Sequence, residues 1–341
     1  MQTITWRIET GTLIIDGKGD IQRHAFGEKA PWQSSIPPFT SVIIKPGVTS
    51  IGDYAFAGCH DLEKVTIPES IIRVGEHAFR DCEMLQSLSI LSGVQSIGRG
   101  AFAGCRRLTT VIVPDSVRRI GHESFHGCTS LVRVNIPTSL TEIGHYAFSG
   151  CDKLSEIYVD PGNATYTSNS GVLFDKNMTE LIHFPAAKAT NGYEIPGSVK
   201  RIAAFSFESC LNLQNIIIPS SVTEIGEGAF SCCKSLESII VPDGVISIGD
   251  EAFLSCVSMK EVIIGRGVTS IGRSAFCDCT FLERVYLNGN IATIGYEAFD
   301  DCKAIETICY YGTEEQWSKT YIDSGNDSLN NARIHFLLNT K

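Results

Sequence analysis

The sequence predicts a repeat solenoid: a coiled stack with a parallel β-sheet on one face, short helical turns elsewhere and a cap at each end. Two observations carry this prediction. An aromatic residue returns at Phe56, Phe79, Phe102, Phe125 and Phe148, then at Phe207, Phe230, Phe253, Phe276 and Phe299, with 23 residues between neighbours inside each set. A period this strict is the signature of stacked units, none of which buries its own apolar face alone. The chain is also 341 residues long and 43% hydrophobic, which is ample for a core but too long for one compact globule of usual size. A solenoid avoids that limit.

The stretch from Leu62 to Cys82, LEKVTIPESIIRVGEHAFRDC, is the unit. In Leu62, Val65 and Ile67 the apolar residues end in alternation, as a half-buried strand requires, and Pro68 has no N–H to extend a ladder. Ile71 and Val74 form a second apolar pair, followed by Gly75 at a corner predicted to need positive φ. Ala78, Phe79 and Cys82 have the spacing of one inward-facing helical turn, too short to stand without tertiary packing. Stacking then places Leu, Val, Ile, Phe and Cys in continuous internal ladders at a strand separation of about 4.8 Å.

Taken in order, residues 1–38 lie outside the period and read as an N-terminal β cap: ITWRIE and TLIIDG are strand-like around a turn at Thr10 and Gly11, and APWQSSIPP leads into the first repeat. Repeats fill residues 39–159, with Leu91 in place of Pro and Ser124 in place of Ala. Phe207 follows Phe148 at a spacing of 59 residues, 13 more than two periods. Residues 160–192 are therefore a modified repeat in which TYTSNSGVLFDKN reads as an inserted hairpin projecting from the array, with Leu181, Ile182 and Phe184 as a replacement strand. Repeats resume over 193–310. Residues 311–341 form a C-terminal cap, with Thr313 as N-cap of a short helix in EEQWSKT and ARIHFLL as a closing strand.

The units L-x-x-V-x-I-P-x-x-V-x-x-I-G-x-x-A-F-x-x-C resemble the BspA-like leucine-rich repeats of bacterial surface proteins and of some protists, over residues 39–310. The insert and the tail also resemble accessory segments of that family. The resemblance implies a right-handed leucine-rich-repeat coil acting as an extracellular binding scaffold, in some members an adhesin for host matrix proteins, and it carries no catalytic residue across. Cell-surface or extracellular placement rests on this resemblance alone. The start, MQTITWRIETG, lacks a signal-type pattern, so the chain is read either as not exported or as a trimmed mature form.

Charge and motifs narrow the function classes. A net charge of −10 disfavours nucleic acid or an anionic membrane as partner, and no apolar run approaches the length of about 18 residues that a spanning helix needs. Ten of the thirteen cysteines, from Cys59 to Cys302, share one repeat position. Their Cβ vectors are expected to run parallel, which favours free buried thiols over disulfides. Cys232, Cys277 and Cys309 fall off that position. His122, Glu123 and His126 spell H-E-x-x-H, but GHESFHGC at 121–128 aligns with GDYAFAGC at 52–59, which makes Phe125 a core residue and the two His surface residues. No metal, cofactor or catalytic residue is assigned. Asn163, Asn177 and Asn326 begin N-x-S/T sequons, relevant only in a glycosylating host.

What remains is the outward residue of each repeat strand, on the face leucine-rich repeats use for binding. In the first half these are Ile43, Thr66, Ser89, Ile112, Asn135 and Tyr158, mostly polar. In the second half Ile217, Ile240, Ile263 and Tyr286 fall side by side, followed by Cys309. Two readings stay open: strand-forming Ile filling an exposed sheet, or an apolar patch for a partner. The leading function is a non-enzymatic scaffold binding a protein or glycan at a bacterial surface. The alternative is an architectural spacer with no specific ligand.

Overall fold

The computed structural model describes residues 3–34 and 38–337 and divides into two compact units, Met1–Leu173 and Phe174–Lys341. Those parts of the two predicted caps that fall on Met1, Gln2, Ser35, Ile36, Pro37 and residues 338–341 lie outside the described residues. Each unit is a parallel β solenoid of leucine-rich-repeat type. In the first unit, Val42 pairs with Val65 and Val65 with Leu88, and Val111, Val134 and Ile157 follow in the same register. In the second, Ile239, Val262, Val285, Ile308 and Ile334 form the equivalent parallel ladder. The 23-residue period is thus a strand register as well as a sequence spacing.

A second, narrower parallel sheet accompanies the first, although the sequence reading placed a sheet on one face only. It consists largely of two-residue strands such as Arg73–Val74, Ser96–Ile97 and Arg119–Ile120 in the first unit. Arg201–Ile202 through Thr293–Ile294 repeat it in the second. The cause is geometric: once the first strands stack in register, the buried Val74, Ile97 and Ile120 must also rise by one strand spacing per coil. The extended backbone around them then pairs.

The third side carries the predicted helical turn as a chain of tight turns. Ala55, Ala57 and Cys59 N–H groups donate to carbonyls three residues back, while Tyr54, Phe56 and Gly58 donate to Glu76, Ala78 and Arg80 of the next coil at 2.7–2.9 Å. Alternate amides therefore serve the turn and the stack, so no buried donor is stranded. This path requires left-handed residues, and they fall at Tyr54, His77, Glu123 and Tyr146 rather than at the corner glycine. Gly75 has no positive φ. A Cβ there would lie 2.7 Å from the backbone of Gly52 and Asp53, and one on Gly98 would lie 2.7 Å from Gly75, so the corner needs glycine for close approach of successive coils.

Inside, the phenylalanines stack. Centroids from Phe56 to Phe148 are 4.9–5.9 Å apart with planes within 9°. In the second unit the ladder begins at Phe184, 4.9 Å from Phe207, and runs to Phe299. Phe184 is thus a ladder residue, 23 before Phe207, and the strand next to it, Glu180–His183, pairs Leu181 with Ile202 in the narrow sheet. Each ladder cysteine beyond Cys59 donates its thiol to a phenylalanine carbonyl of the preceding coil, as from Cys82 to Phe56 at 3.2 Å and from Cys256 to Phe230 at 3.2 Å. That bond explains why cysteine, rather than alanine, fills the position: it is small and apolar yet caps a buried acceptor. All thirteen thiols are free, and burial pushes those of Cys59 and Cys128 up to about 12.

The inserted hairpin does not project as expected. In the first unit, the Tyr166 hydroxyl accepts the Ile143 N–H at 2.8 Å and Ile157 N–H donates to the Gly171 carbonyl at 3.0 Å, while Val172 and Leu173 are fully buried. The hairpin takes the place of a neighbouring coil and satisfies the strand groups that coil would have paired. The caps follow the same logic. Thr3–Glu9 pairs antiparallel with Thr12–Asp20 through the turn at Thr10 and Gly11, and Thr12–Asp20 reaches both sheets of the first coil. At the other end Thr313 and Gln316 form a reciprocal capping box on the helix Glu314–Ser318.

Candidate functional site

Three of the four predicted outward residues form a registered row in the second unit, while Ile217 lies on a separate two-stranded sheet. Ile240 pairs with Ile263, Ile263 with Tyr286 and Tyr286 with Cys309 on adjacent parallel strands, and Ile217 is aligned with Glu194 at the start. Ile217 and Ile240 are 60% and 62% exposed, whereas Ile263 and Tyr286 are half-buried. Adjacent strands place successive side chains about 4.8 Å apart. The row is bordered by an ion pair, Arg284 Nε to Glu261 Oε2 at 2.9 Å, on the flanking outward position of the same strands. Partial burial raises the Cys309 thiol at the far end, so it is not an activated nucleophile.

Beside the row lies a groove of about 550 Å³ whose wall includes Ile240, Ile263, Arg266 and Tyr311. The sequence reading missed this groove. Its floor comes from Asn288, which replaces the repeat's proline and is almost fully buried. The Asn288 amide donates to the Gly265 and Val268 carbonyls at 2.6 and 3.0 Å. Without proline the strand extends to Arg284–Asn288, and its partner Thr307–Tyr311 brings the exposed Tyr311 to the groove. The signal in the sequence is the Pro-to-Asn change together with a longer apolar run.

In the first unit the outward row is more broken. Thr66 pairs with Ser89, and Asn135 separates the exposed Ile112 from Tyr158.

The H-E-x-x-H string lies in the chain of turns at the next coil. Glu123 has a φ of 56° and pairs with Arg99 at 2.8 Å, while His122 Nδ1 accepts the His145 N–H at 3.1 Å. A left-handed residue between the two histidines removes the helical face that a zinc protease needs. Among the described residues no group of three or more His, Cys, Asp or Glu is arranged to hold a metal ion. His122→Ala with His126→Ala is expected to change stability by less than about 1 kcal/mol, since both side chains are at least partly exposed. Elemental analysis of purified protein should find no stoichiometric zinc; one tightly held zinc would overturn this reading.

Two of the three sequons are structural. Asn163 is fully buried, its amide donating to Pro137 and Leu140 carbonyls while its Oδ1 accepts the Thr165 and Tyr166 N–H groups. Asn326 similarly brackets Gly295, Asp323 and Phe299. Only Asn177 of the three is exposed.

Parallel strands in a 23-residue register, an apolar ladder and an outward row define a leucine-rich-repeat protein. Residues 33–155 and 184–306 match the BspA type leucine-rich repeat region in six copies, and the chain belongs to this family. A leucine-rich repeat protein from Eubacterium ventriosum is 27% identical, with a TM-score of 0.85 over 99% of this chain and 95% of that one. A leucine-rich cell surface protein from Faecalibacterium prausnitzii is 27% identical, with a TM-score of 0.63 over 94% and 97%. The pneumococcal vaccine antigen PcpA shares the fold at 18% identity, with a TM-score of 0.63 over 99% and 98%. Comparison with curated proteins finds no match. Among the described residues no helix is long and apolar enough to cross a membrane.

Proposed function

We propose that the protein is a non-enzymatic binding scaffold that takes a protein or glycan ligand at a bacterial surface, through Ile217, Ile240, Ile263 and Tyr286. The observation that carries this reading is the registered row: strongly exposed Ile240 continues into half-buried Ile263 and Tyr286 beside a groove lined by Tyr311, and the equally exposed Ile217 lies on a strand of the preceding coil. Isolated exposed apolar residues are ordinary, but Ile240, Ile263 and Tyr286 in register on one sheet, with Ile217 on a strand of the preceding coil, make a suitable anchor for a partner. The relative described as a cell surface protein supports the placement.

Ile240→Asp with Ile263→Asp is expected to abolish capture of an immobilised matrix protein or glycan that the parent binds, measured by surface plasmon resonance. Folding survives, because Ile240 is exposed and Ile263 only half-buried, both on the outward side of the sheet, where strand preference contributes at most about 1 kcal/mol per position. Thr66→Asp with Ser89→Asp is the matched control and leaves binding intact. If both double variants bind as the parent does, the row is strand filler and the spacer reading takes the lead.

A further inference from the structure

The N-terminal cap encloses a cleft of about 590 Å³ between the strand Thr3–Glu9, the segment 20–24, Trp32 and the corner of the first coil. Its apolar wall is rigid. Trp32 stacks on Phe56 at 5.5 Å and donates its indole N–H to the Ala55 carbonyl at 3.0 Å, so the end of the internal ladder holds it in place. Trp6 stands edge-on to Trp32 at 6.3 Å and remains 41% exposed. Among the described residues its indole N–H has no hydrogen-bond partner.

The opposite wall is polar and balanced in charge. Asp53 and Arg73 form an ion pair at 3.1 Å that fixes one rim. Gln22 and Arg23 line the cleft, are exposed, and make no side-chain hydrogen bond among the described residues. His24 forms part of the wall with its side chain 5% exposed and neither ring nitrogen hydrogen-bonded, Nδ1 lying 3.8 Å from Glu28 Oε1. Buried imidazole nitrogens are ordinarily satisfied, and His24 is an exception in the wall of the cleft.

We propose that this cleft is a saccharide-binding site for a neutral glycan end of one or two pyranose rings. A pyranose has an apolar C–H face that packs on an exposed indole and a rim of hydroxyls that both donate and accept. The Trp6 ring and N–H, the Gln22 amide and the Arg23 guanidinium supply the complementary set. The size lies within the usual range for small-ligand pockets of about 300–1,000 Å³. Asp20 and Asp53 offset Arg23 and Arg73, which selects a neutral ligand over an anion. The site lies in the first unit and is independent of the Ile217 to Tyr286 row.

The protein has three tryptophans, so full-length chain labelled with 5-fluorotryptophan gives three ¹⁹F signals, with Trp317 of the second unit as internal reference. The probes are the methyl glycosides of glucose, galactose, mannose and N-acetylglucosamine, against sulfate and phosphate. At least one glycoside is expected to shift the Trp6 and Trp32 signals saturably, with a dissociation constant on the order of 1 mM and no change at Trp317. Gln22→Ala with Arg23→Ala, both on the surface, weakens that binding about tenfold or more, and Trp6→Ala removes it while the Trp32 signal reports an intact cap. Ile240→Asp with Ile263→Asp leaves the shifts unchanged, so failure at the row and failure here are separable. The proposal is overturned if no glycoside moves Trp6, if sulfate or phosphate does so instead, or if the Gln22 and Arg23 double variant binds as the parent does.

Discussion

Replacing Cys256 by Asp is expected to destabilise the second unit by roughly 4 kcal/mol or more, read by urea unfolding with the ¹⁹F signal of 5-fluorotryptophan at position 317 as reporter. The side chain is fully buried and its thiol donates to the Phe230 carbonyl at 3.2 Å. A carboxylate cannot donate, so it would face that carbonyl as a second acceptor in an apolar ladder. Burial already holds the Cys256 thiol well above its ordinary range, and the same environment raises the pKa of the introduced carboxyl in the folded state. The deficit is therefore present at neutral pH and shrinks as pH falls and the carboxyl protonates. Cys256→Ser keeps a donor and should lose only about 1 kcal/mol. An Asp variant that unfolds at the parent's urea concentration would mean that the ladder is not buried.

Phe253→Ala is expected to cost about 3–5 kcal/mol in the same assay. Its ring lies 5.1 Å from Phe230 and 5.0 Å from Phe276, with planes within 6°, and it is fully buried. The main part of the loss is the cavity; the stacked pairs add about 0.5–1.5 kcal/mol each. Phe299→Ala, which among the described residues stacks on Phe276 alone, should lose less by about one such pair. Because coils support only their neighbours, a mid-array cavity also uncouples the coils on either side and broadens the unfolding transition. Equal losses at Phe253 and Phe299, with unchanged steepness, would show that the ring stack contributes nothing beyond burial.

Much of the fold was legible because the period is simultaneously a sequence spacing and a strand register. Val65, Ile67, Val74, Phe79 and Cys82 each recur at 23 residues, so one unit read correctly gives the inward side of most coils. The outward row was legible for the same reason, since a strand's alternation assigns Ile240 and Ile263 their face once Ile239 and Val262 are known to be buried. Phe184 was legible in principle, as it lies one period before Phe207. The insertion ahead of it interrupted the count and disguised it as strand.

The cleft beneath Trp6 was not legible. Trp6, Gln22, Arg23, His24 and Trp32 lie in a segment without period, and they meet only because Thr12–Asp20 turns from one sheet to the other.

By itself the sequence determined the coil length, the inward ladders and the outward row, because local alternation and a fixed period specify which side chains face in. Tertiary structure alone decided how the backbone closes each coil. Gly75 proved to be a contact point against Gly52 and Asp53, with the left-handed conformation displaced onto residues such as His77 and Glu123. The hairpin at Tyr166 became a substitute coil, since its hydroxyl and its backbone satisfy strand groups of Ile143 and Ile157. These outcomes depend on distances between residues about one coil apart, which no window shorter than a repeat contains. The requirement that every buried N–H and carbonyl find a partner then selects among the paths the period allows.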